Sequence, residues 1–195
     1  MKTRFVPSAS LRLLLAGLLL VSVAAPAAAD TRTVTDPAAP RALPADGPVS
    51  VAWTDPAQFS EIRFSGNRWE AERGDWVAQL ARYLRQRAAA RLAPGQSLDV
   101  TLTDIRRAGN YEAWHGPRAN DVRIVRDLYP PRITLRFALH GADGAVLAQG
   151  ERRLADPGFL QGAARLDDSD PLRFEKRLID DWLRREFPAG GKTGA

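Results

Sequence analysis

The stretch from Asp121 to Asp127, DVRIVRD, places two carboxylates and two guanidinium groups within one short segment. Opposite charges at this spacing can form charge-assisted hydrogen bonds, and guanidinium groups also bind carboxylate ligands. One hypothesis is an ion-paired support, in which Asp121, Arg123, Arg126 and Asp127 satisfy each other and hold the segment against a sheet. The other is a polar groove where Arg123 or Arg126 receives an anionic group, such as a carboxylate of a peptide or cell-wall fragment. The sequence favours the support, because it needs no ligand.

The preceding segment, YEAWHGPRAN from Tyr111 to Asn120, contains glycine and proline and is predicted to be a loop. Loops held by a rigid scaffold often carry binding residues, so Trp114 and His115 are also candidates for ligand contact. A plain surface connection explains the same residues. The candidate ligand-binding residues are therefore Asp121, Arg123, Arg126, Asp127, Trp114 and His115.

Four side chains in or beside this loop suggest a metal site as an alternative: Asp104, Glu112, His115 and Asp121. Carboxylates and an imidazole are ordinary ligands of divalent metals, and such a site would support metal-assisted hydrolysis. Their spacing matches no known metal-binding motif, so this hypothesis is the weaker one.

Other catalytic and cofactor-binding patterns are missing from the sequence. It contains only two histidines, no cysteine, and no Gly-x-Ser-x-Gly elbow before a helix. AGGKTG near the C-terminus lacks the earlier glycine and the preceding strand of a phosphate-binding loop. We therefore expect no cofactor, and we favour a protein that is not an enzyme.

Hydrophobic periodicity predicts the elements that position these residues. Apolar residues at every second position predict strands in VSVAW, SLDVTLTDI, RITLRFAL and AVLAQGERRL, and the last two should form a hairpin across HGADG. Helical spacing predicts one amphipathic helix over 76–88 and a second that starts at Asp170, with Pro171 in its first position. Residues 54–75 are expected to form a loop.

This order of elements predicts an α+β domain over 49–188, with a mainly antiparallel sheet and two amphipathic helices packed on one face. Pro130 and Pro131 precede RITLRFAL, and because proline has no N–H donor we expect this strand to enter the sheet at its edge. Residues 30–48 are rich in Pro, Ala, Thr and Asp and predict a flexible leader, and 189–195 predict a disordered tail.

The first 29 residues have the pattern of a signal peptide. A basic start is followed by an apolar run from Leu13 to Ala25 and by three alanines before Asp30. The apolar run is shorter than the ~20 residues that span a bilayer, so we expect cleavage after Ala29 and no stable membrane insertion afterwards. This predicts a periplasmic protein.

The charge of the chain argues against nucleic acid as a partner. Three of the 28 basic residues lie in the first 29, so the expected mature chain carries 25 basic against 23 acidic residues. The pI of about 10.2 then reflects the many arginines rather than a strongly cationic surface. Nucleic-acid binding would need clustered basic residues together with aromatic platforms.

Three stretches resemble a known family of bacterial exported proteins: LTDIRRAG (102–109), DVRIVRDLYPPRITLRFAL (121–139) and the terminal FEKRLIDDWL. The chain is similar to domain-of-unknown-function family 3016, most specifically in the order of Asp121, Arg123, Asp127 and the two prolines. Relatives more often have an acidic residue after TDI, where this chain has arginine, and this departure argues against an acidic metal site at Asp104. The resemblance implies an exported domain and no particular activity.

We therefore expect a non-enzymatic binding or envelope-associated module. Its ligand contacts would lie on the polar sheet face and the loop over 110–120, and its partner would be an envelope protein, a peptide or a cell-wall component. The alternative from a different class is the metal-assisted hydrolase.

Overall fold

The computed structural model describes residues 32–112, 114, 116, 120–161 and 169–188. The chain divides into two units, 1–30 and 31–195, and the described residues all belong to the second. The predicted signal peptide and the predicted tail over 189–195 both lie outside the described residues. Within the described ranges, no helix combines the length and apolar composition that crossing a bilayer requires.

A mixed four-stranded sheet forms the centre of the fold. Its strands are β1 (Val49–Trp53), β2 (Ser97–Arg106), β5 (Arg132–His140) and β6 (Val146–Ala155), in the order β1-β2-β5-β6. β1 pairs with β2 in parallel, and the other two pairings are antiparallel. The short strands β3 (Asn110–Tyr111) and β4 (Arg123–Ile124) form a separate antiparallel pair. The predicted α+β class, the mainly antiparallel sheet and the hairpin over HGADG are confirmed.

Two long amphipathic helices cover one face of the sheet. They are α3 (Trp76–Ala89) and α4 (Arg173–Glu186), and their apolar stripes meet the alternating apolar residues of β2 and β5. The two helices also contact each other, since Asp180 of α4 accepts hydrogen bonds from Tyr83 and Arg87 of α3, both at 2.8 Å. The core therefore lies between this helical layer and one face of the sheet.

The C-terminal helix begins slightly later than the sequence predicted. Asp170 does not cap α4 as its N-cap residue, because the cap position is Leu172. Instead the Asp170 carboxylate accepts a hydrogen bond of 2.8 Å from the N–H of Leu172 and pairs with Lys176. Asp170 and Pro171 therefore form the turn that leads into the helix.

The expected loop over 54–75 contains two short helices, α1 (Ser60–Arg63) and α2 (Arg68–Glu72). They are too short to show a periodic apolar stripe, which explains why periodicity did not indicate them. The Asn67 side chain accepts a hydrogen bond of 3.2 Å from the N–H of Glu70 at the start of α2. Ile62 of α1 is buried in the main core.

Residues 32–47 fall in the segment that composition assigned to a flexible leader, yet they contact the domain along β1. Leu43 donates its N–H to the Val51 carbonyl at 2.9 Å, and Trp53 donates its N–H to the Arg41 carbonyl at 2.8 Å. Val34 is buried in the core. The composition of this segment gave no sign of these contacts, because backbone hydrogen bonds to a strand edge leave little trace in the side-chain pattern.

The prediction that Pro130 and Pro131 direct the following strand to the sheet edge was wrong. β5 starts at Arg132, immediately after both prolines, and lies between β2 and β6. Both prolines precede the first residue of the strand. The hydrogen bonds between the strands therefore do not require the N–H groups that the prolines lack.

The second face of the four-stranded sheet is polar. Alternate residues that point away from the core on β2, β5 and β6 are partly or fully exposed, and among the described residues no helix packs on them. They include Asp99, Thr101, Asp104, Arg106, Arg132, Thr134, Arg136, Glu151 and Arg153. α1 lies beside one end of this face, since Ser60 contacts Asp104 of β2.

Candidate functional site

Arg123 and Arg107 converge on the buried carboxylate of Glu61 in α1. Arg123 donates to both oxygens of Glu61, at 2.8 and 3.0 Å, in a bidentate pair. Arg107 donates its Nε to one oxygen at 3.0 Å and its backbone N–H to the other at 2.9 Å. Glu61 is 4 % exposed, so two guanidinium groups and a backbone amide replace the water that a carboxylate would otherwise bind.

The remaining contacts of Arg123 are also structural. Its guanidinium donates to the carbonyl oxygens of Arg107, Ala108 and Gly109 at 2.8 to 3.3 Å, and it lies over the Tyr111 ring. Burial disfavours the charged form of Arg123, but the attraction of Glu61 outweighs it and raises the pKa of Arg123 above its ordinary value. Arg123 therefore fixes the turn after β2 and has little capacity left for a ligand.

Arg126 contacts a second buried carboxylate. Glu112 is 1 % exposed, accepts a hydrogen bond of 2.9 Å from the Tyr129 hydroxyl, and lies 3.2 Å from the Arg126 guanidinium. The hydrogen bond to Glu112 raises the pKa of Tyr129. Glu112, which the sequence offered as a metal ligand, is thus held by a tyrosine and an arginine.

A third buried carboxylate, Glu175, projects from α4 toward the same segment. It is 0 % exposed and accepts a hydrogen bond of 2.6 Å from the N–H of Ala108, while its second oxygen has no hydrogen-bond partner. Burial raises the pKa of Glu175, although that hydrogen bond and the charges of Arg123 and Arg107 act in the opposite direction. Two buried carboxylates, Glu61 and Glu175, therefore bind successive backbone amides after β2.

The two aspartates of the opening stretch do not pair with its two arginines among the contacts described above. Asp121 accepts a hydrogen bond of 3.1 Å from the Asn67 side chain. Asp127 accepts one of 2.9 Å from the N–H of Leu128. Arg123 and Arg126 therefore hold the segment through the buried carboxylates Glu61 and Glu112, which lie outside it in the sequence, and not through the mutual pairing that the support hypothesis proposed.

The remaining candidate residues lie apart. Trp114 is 69 % exposed, and His115 lies outside the described residues. Asp104 accepts hydrogen bonds from the N–H and the hydroxyl of Ser60 at 2.6 and 2.7 Å. No group of three or more metal-binding side chains occurs within the part of the chain that the structure describes. The described members of the proposed metal set, Asp104, Glu112 and Asp121, thus have separate protein partners.

A pocket of about 450 Å³ lies at the α1 end of the polar sheet face. It is lined by Ser60, Phe64, Asp104, Arg106, Arg132, Thr134, Arg153, Leu154 and Ala155. We call it the arginine pocket, because β2, β5 and β6 each contribute one arginine to it. The strand register explains this clustering: Arg106 lies directly opposite Arg132, and Thr134 lies directly opposite Arg153.

The arginines of this pocket are poorly neutralised by the protein. Neither Arg106 nor Arg132 forms an ion pair with a carboxylate in the described ranges, whereas Arg153 pairs with Glu151 at 3.3 Å through a side chain that is 84 % exposed. Asp104 also lines the pocket, but each of its carboxylate oxygens accepts a hydrogen bond from Ser60. Like charges directly opposite each other on neighbouring strands are destabilising, so an anion bound beside Arg106 and Arg132 would stabilise this end of the sheet.

Sequence reasoning missed the arginine pocket and the buried carboxylates for different reasons. The alternation of RITLRFAL is consistent with Arg132 on the outer face, but strand order and register decide which arginines of β2 and β6 lie beside it. Glu175 left a usable signal, because it precedes Leu178 and Ile179 at helical spacing and therefore lies on the buried stripe of α4. The sequence around Glu61 gives no such signal, since α1 is a single short helical turn.

The fold and its pocket define a small α+β domain with an exposed, polar sheet face. The family model described as "Protein of unknown function (DUF3016)" matches residues 47–185, and the chain belongs to this family. This match confirms the resemblance seen in the sequence. No curated protein and no solved structure matches the chain.

Proposed function

We propose that the protein is an exported, non-enzymatic binding module that captures an anionic group of its ligand in the arginine pocket. The observation that carries this proposal is the direct cross-strand pairing of Arg106 and Arg132, neither of which has a carboxylate partner among the described residues. An anion bound between them would remove their mutual repulsion and accept hydrogen bonds from two guanidinium groups.

The pocket replaces the groove at Arg123 or Arg126, which was the less favoured hypothesis from the sequence. Arg123 is saturated by Glu61 and three carbonyl groups, whereas Arg106 and Arg132 line an open pocket. The ligand chemistry stays as expected from the sequence: a carboxylate or a similar anion carried by a peptide, a protein or a cell-wall fragment.

A thermal melting screen tests the binding proposal. Inorganic phosphate, glutarate, acidic peptides and cell-wall fragments would be added separately to the wild type, to Arg106→Gln and Arg132→Gln, and to Arg136→Gln as a control. Arg136 lies on the same face of β5 but does not line the pocket. A ligand that binds only the folded state adds about 2.7 kcal/mol of stability at a hundred times its Kd. We expect stabilisation of the wild type and of Arg136→Gln, and none of the other two variants. Equal stabilisation of all four proteins would contradict the proposed site.

Export has its own test. The order of basic start, apolar run and small residues supports cleavage after Ala29. N-terminal sequencing of the protein from a periplasmic extract should therefore begin at Asp30. A full-length chain beginning at Met1 that sediments with membranes would contradict this part of the proposal.

A further inference from the structure

The outer edge of β6 is open over its whole length in the described structure. β6 is the last strand of the sheet order, and its only described strand partner is β5. The opposite edge of the sheet differs, because residues 41–43 donate to and accept from the backbone of β1. A ten-residue edge strand with unpaired backbone groups is a template for pairing with another extended chain.

The side chains of β6 leave that edge accessible. Val146 and Leu147 at its start are 52 % and 55 % exposed. Arg152 turns toward the helical layer, where it forms a bidentate pair with Glu186 at 2.8 and 2.7 Å. Its guanidinium also donates to the Glu151 carbonyl of β6 at 3.0 Å, so this carbonyl already has a partner, and strand addition would use the other backbone groups of the edge.

The end of this open edge forms part of the arginine pocket. Arg153, Leu154 and Ala155 belong to β6 and line the pocket together with Arg106 and Arg132. An extended chain paired with β6 would therefore bring one of its ends to Arg153, with Arg132 one strand further away. Charge complementarity requires that this end be acidic.

We propose that β6 binds an extended acidic peptide as an added strand, with a carboxylate of the peptide in the arginine pocket. This inference rests on the proposed function in taking the pocket as the anion site, and it adds the ligand class and the backbone contacts. In such strand addition, main-chain hydrogen bonds supply affinity and side-chain contacts supply specificity. Here the specificity comes from the carboxylate, which enters the pocket from the β6 side, beside Arg153 and toward Arg132.

A designed heptapeptide, acetyl-Glu-Val-Thr-Val-Thr-Val-Glu-amide, provides the probe. In a strand its acidic and threonine side chains share one face, and its valines share the other. Glutamate at both ends allows either strand direction to place a carboxylate in the pocket. Matched probes replace both glutamates by glutamine, or carry N-methyl groups either on the three valines or on the two threonines. Alternate N–H groups of a strand point to opposite sides, so only one of the N-methyl sets blocks pairing with β6.

The expected result has three parts, measured by titration calorimetry and by hydrogen exchange of the backbone amides. The glutamate peptide binds, and the glutamine peptide and the Arg132→Gln variant each weaken binding at least about tenfold. One N-methyl set abolishes binding and the other retains it. Alternate amides of β6 become protected from exchange, whereas those of β1 do not change.

Three outcomes would overturn the inference. If both N-methylated peptides bind as tightly as the parent peptide while Arg132→Gln still weakens binding, the anion site stands and strand addition is wrong. If light scattering shows a dimer with protected β6 amides before any peptide is added, a second copy of the chain occupies the edge. Failure of the peptide, phosphate and glutarate to bind would remove both the inference and the proposed function.

Discussion

Buried carboxylates determine how the chain leaves β2. Glu61 and Glu175 accept hydrogen bonds from the backbone N–H groups of Arg107 and Ala108, and Glu112 holds the Tyr129 hydroxyl. Charges buried in this way need close partners, because unpaired burial is costly. Within the stretch from Asp121 to Asp127, Arg123 and Arg126 therefore stabilise this region by pairing with Glu61 and Glu112.

Arg123→Ala should destabilise the domain by about 3 kcal/mol, because it leaves the buried Glu61 carboxylate with only its Arg107 contacts. Chemical denaturation of this variant and of the exposed control Arg136→Ala gives the comparison. The control should lose no more than about 0.5 kcal/mol. A small loss at Arg123, accompanied by loss of anion binding, would instead support the groove hypothesis for that residue.

Glu175→Gln should become progressively more stable than the wild type as the pH rises. Burial raises the pKa of Glu175 in the folded state. The contribution of Glu175 to the stability of the wild type is therefore greatest below the pKa that this group has in the unfolded chain, and it is lost as the pH rises through the pKa in the folded state. Glutamine does not titrate. Denaturation between about pH 4 and about pH 8 measures the difference between the two proteins. A stability difference independent of pH would mean that burial does not perturb this carboxyl group.

At the scale of elements, hydrophobic periodicity predicted the long strands and helices and little else. β2 and β5 alternate between core and solvent, and α4 carries an apolar stripe, so side-chain spacing alone reveals them. α1 and α2 are too short for a period. The partners of Arg123 and the position of β5 inside the sheet depend on contacts between distant segments, which local patterns do not encode.

Trp182→Ala should destabilise the domain far more than Trp114→Ala. Trp182 is 2 % exposed and packs edge-on against Phe137 and Phe187, with ring centroids 5.8 and 5.6 Å apart. Truncating a buried tryptophan costs about 3–5 kcal/mol, against a few tenths at an exposed position. Trp114 is 69 % exposed. Denaturation midpoints compare the two variants, and equal losses would contradict the position of Trp182 in the core or of Trp114 outside it.

At the scale of the whole domain, the two faces of the sheet have different roles. One face is covered by α3 and α4 and contains the main core, and the other presents polar residues and ends in the arginine pocket. A sheet that is half buried and half exposed is usual for antiparallel folds. Arg106 and Arg132, which have no carboxylate partner among the described residues, distinguish this surface from an ordinary solvated face and make it the place where a ligand is expected.

The repulsion between Arg106 and Arg132 should also be measurable as a loss of stability in the ligand-free protein. Because Arg106 and Arg132 repel each other, Arg132→Gln should stabilise the ligand-free protein by a few tenths of a kcal/mol at low salt. Added salt screens this repulsion and should reduce the gain. Urea denaturation at low and high concentrations of sodium chloride measures both effects. A loss of stability in Arg132→Gln at low salt would show that Arg132 already has a stabilising partner.

Calorimetric titration of the tightest-binding anion from the melting screen tests the central claim most directly. The wild type and Arg136→Gln should bind it with equal affinity, and Arg132→Gln should bind it at least about tenfold more weakly, because a charge-assisted hydrogen bond to the anion is lost. Unchanged affinity in Arg132→Gln would contradict the assignment of the arginine pocket as the binding site of this domain.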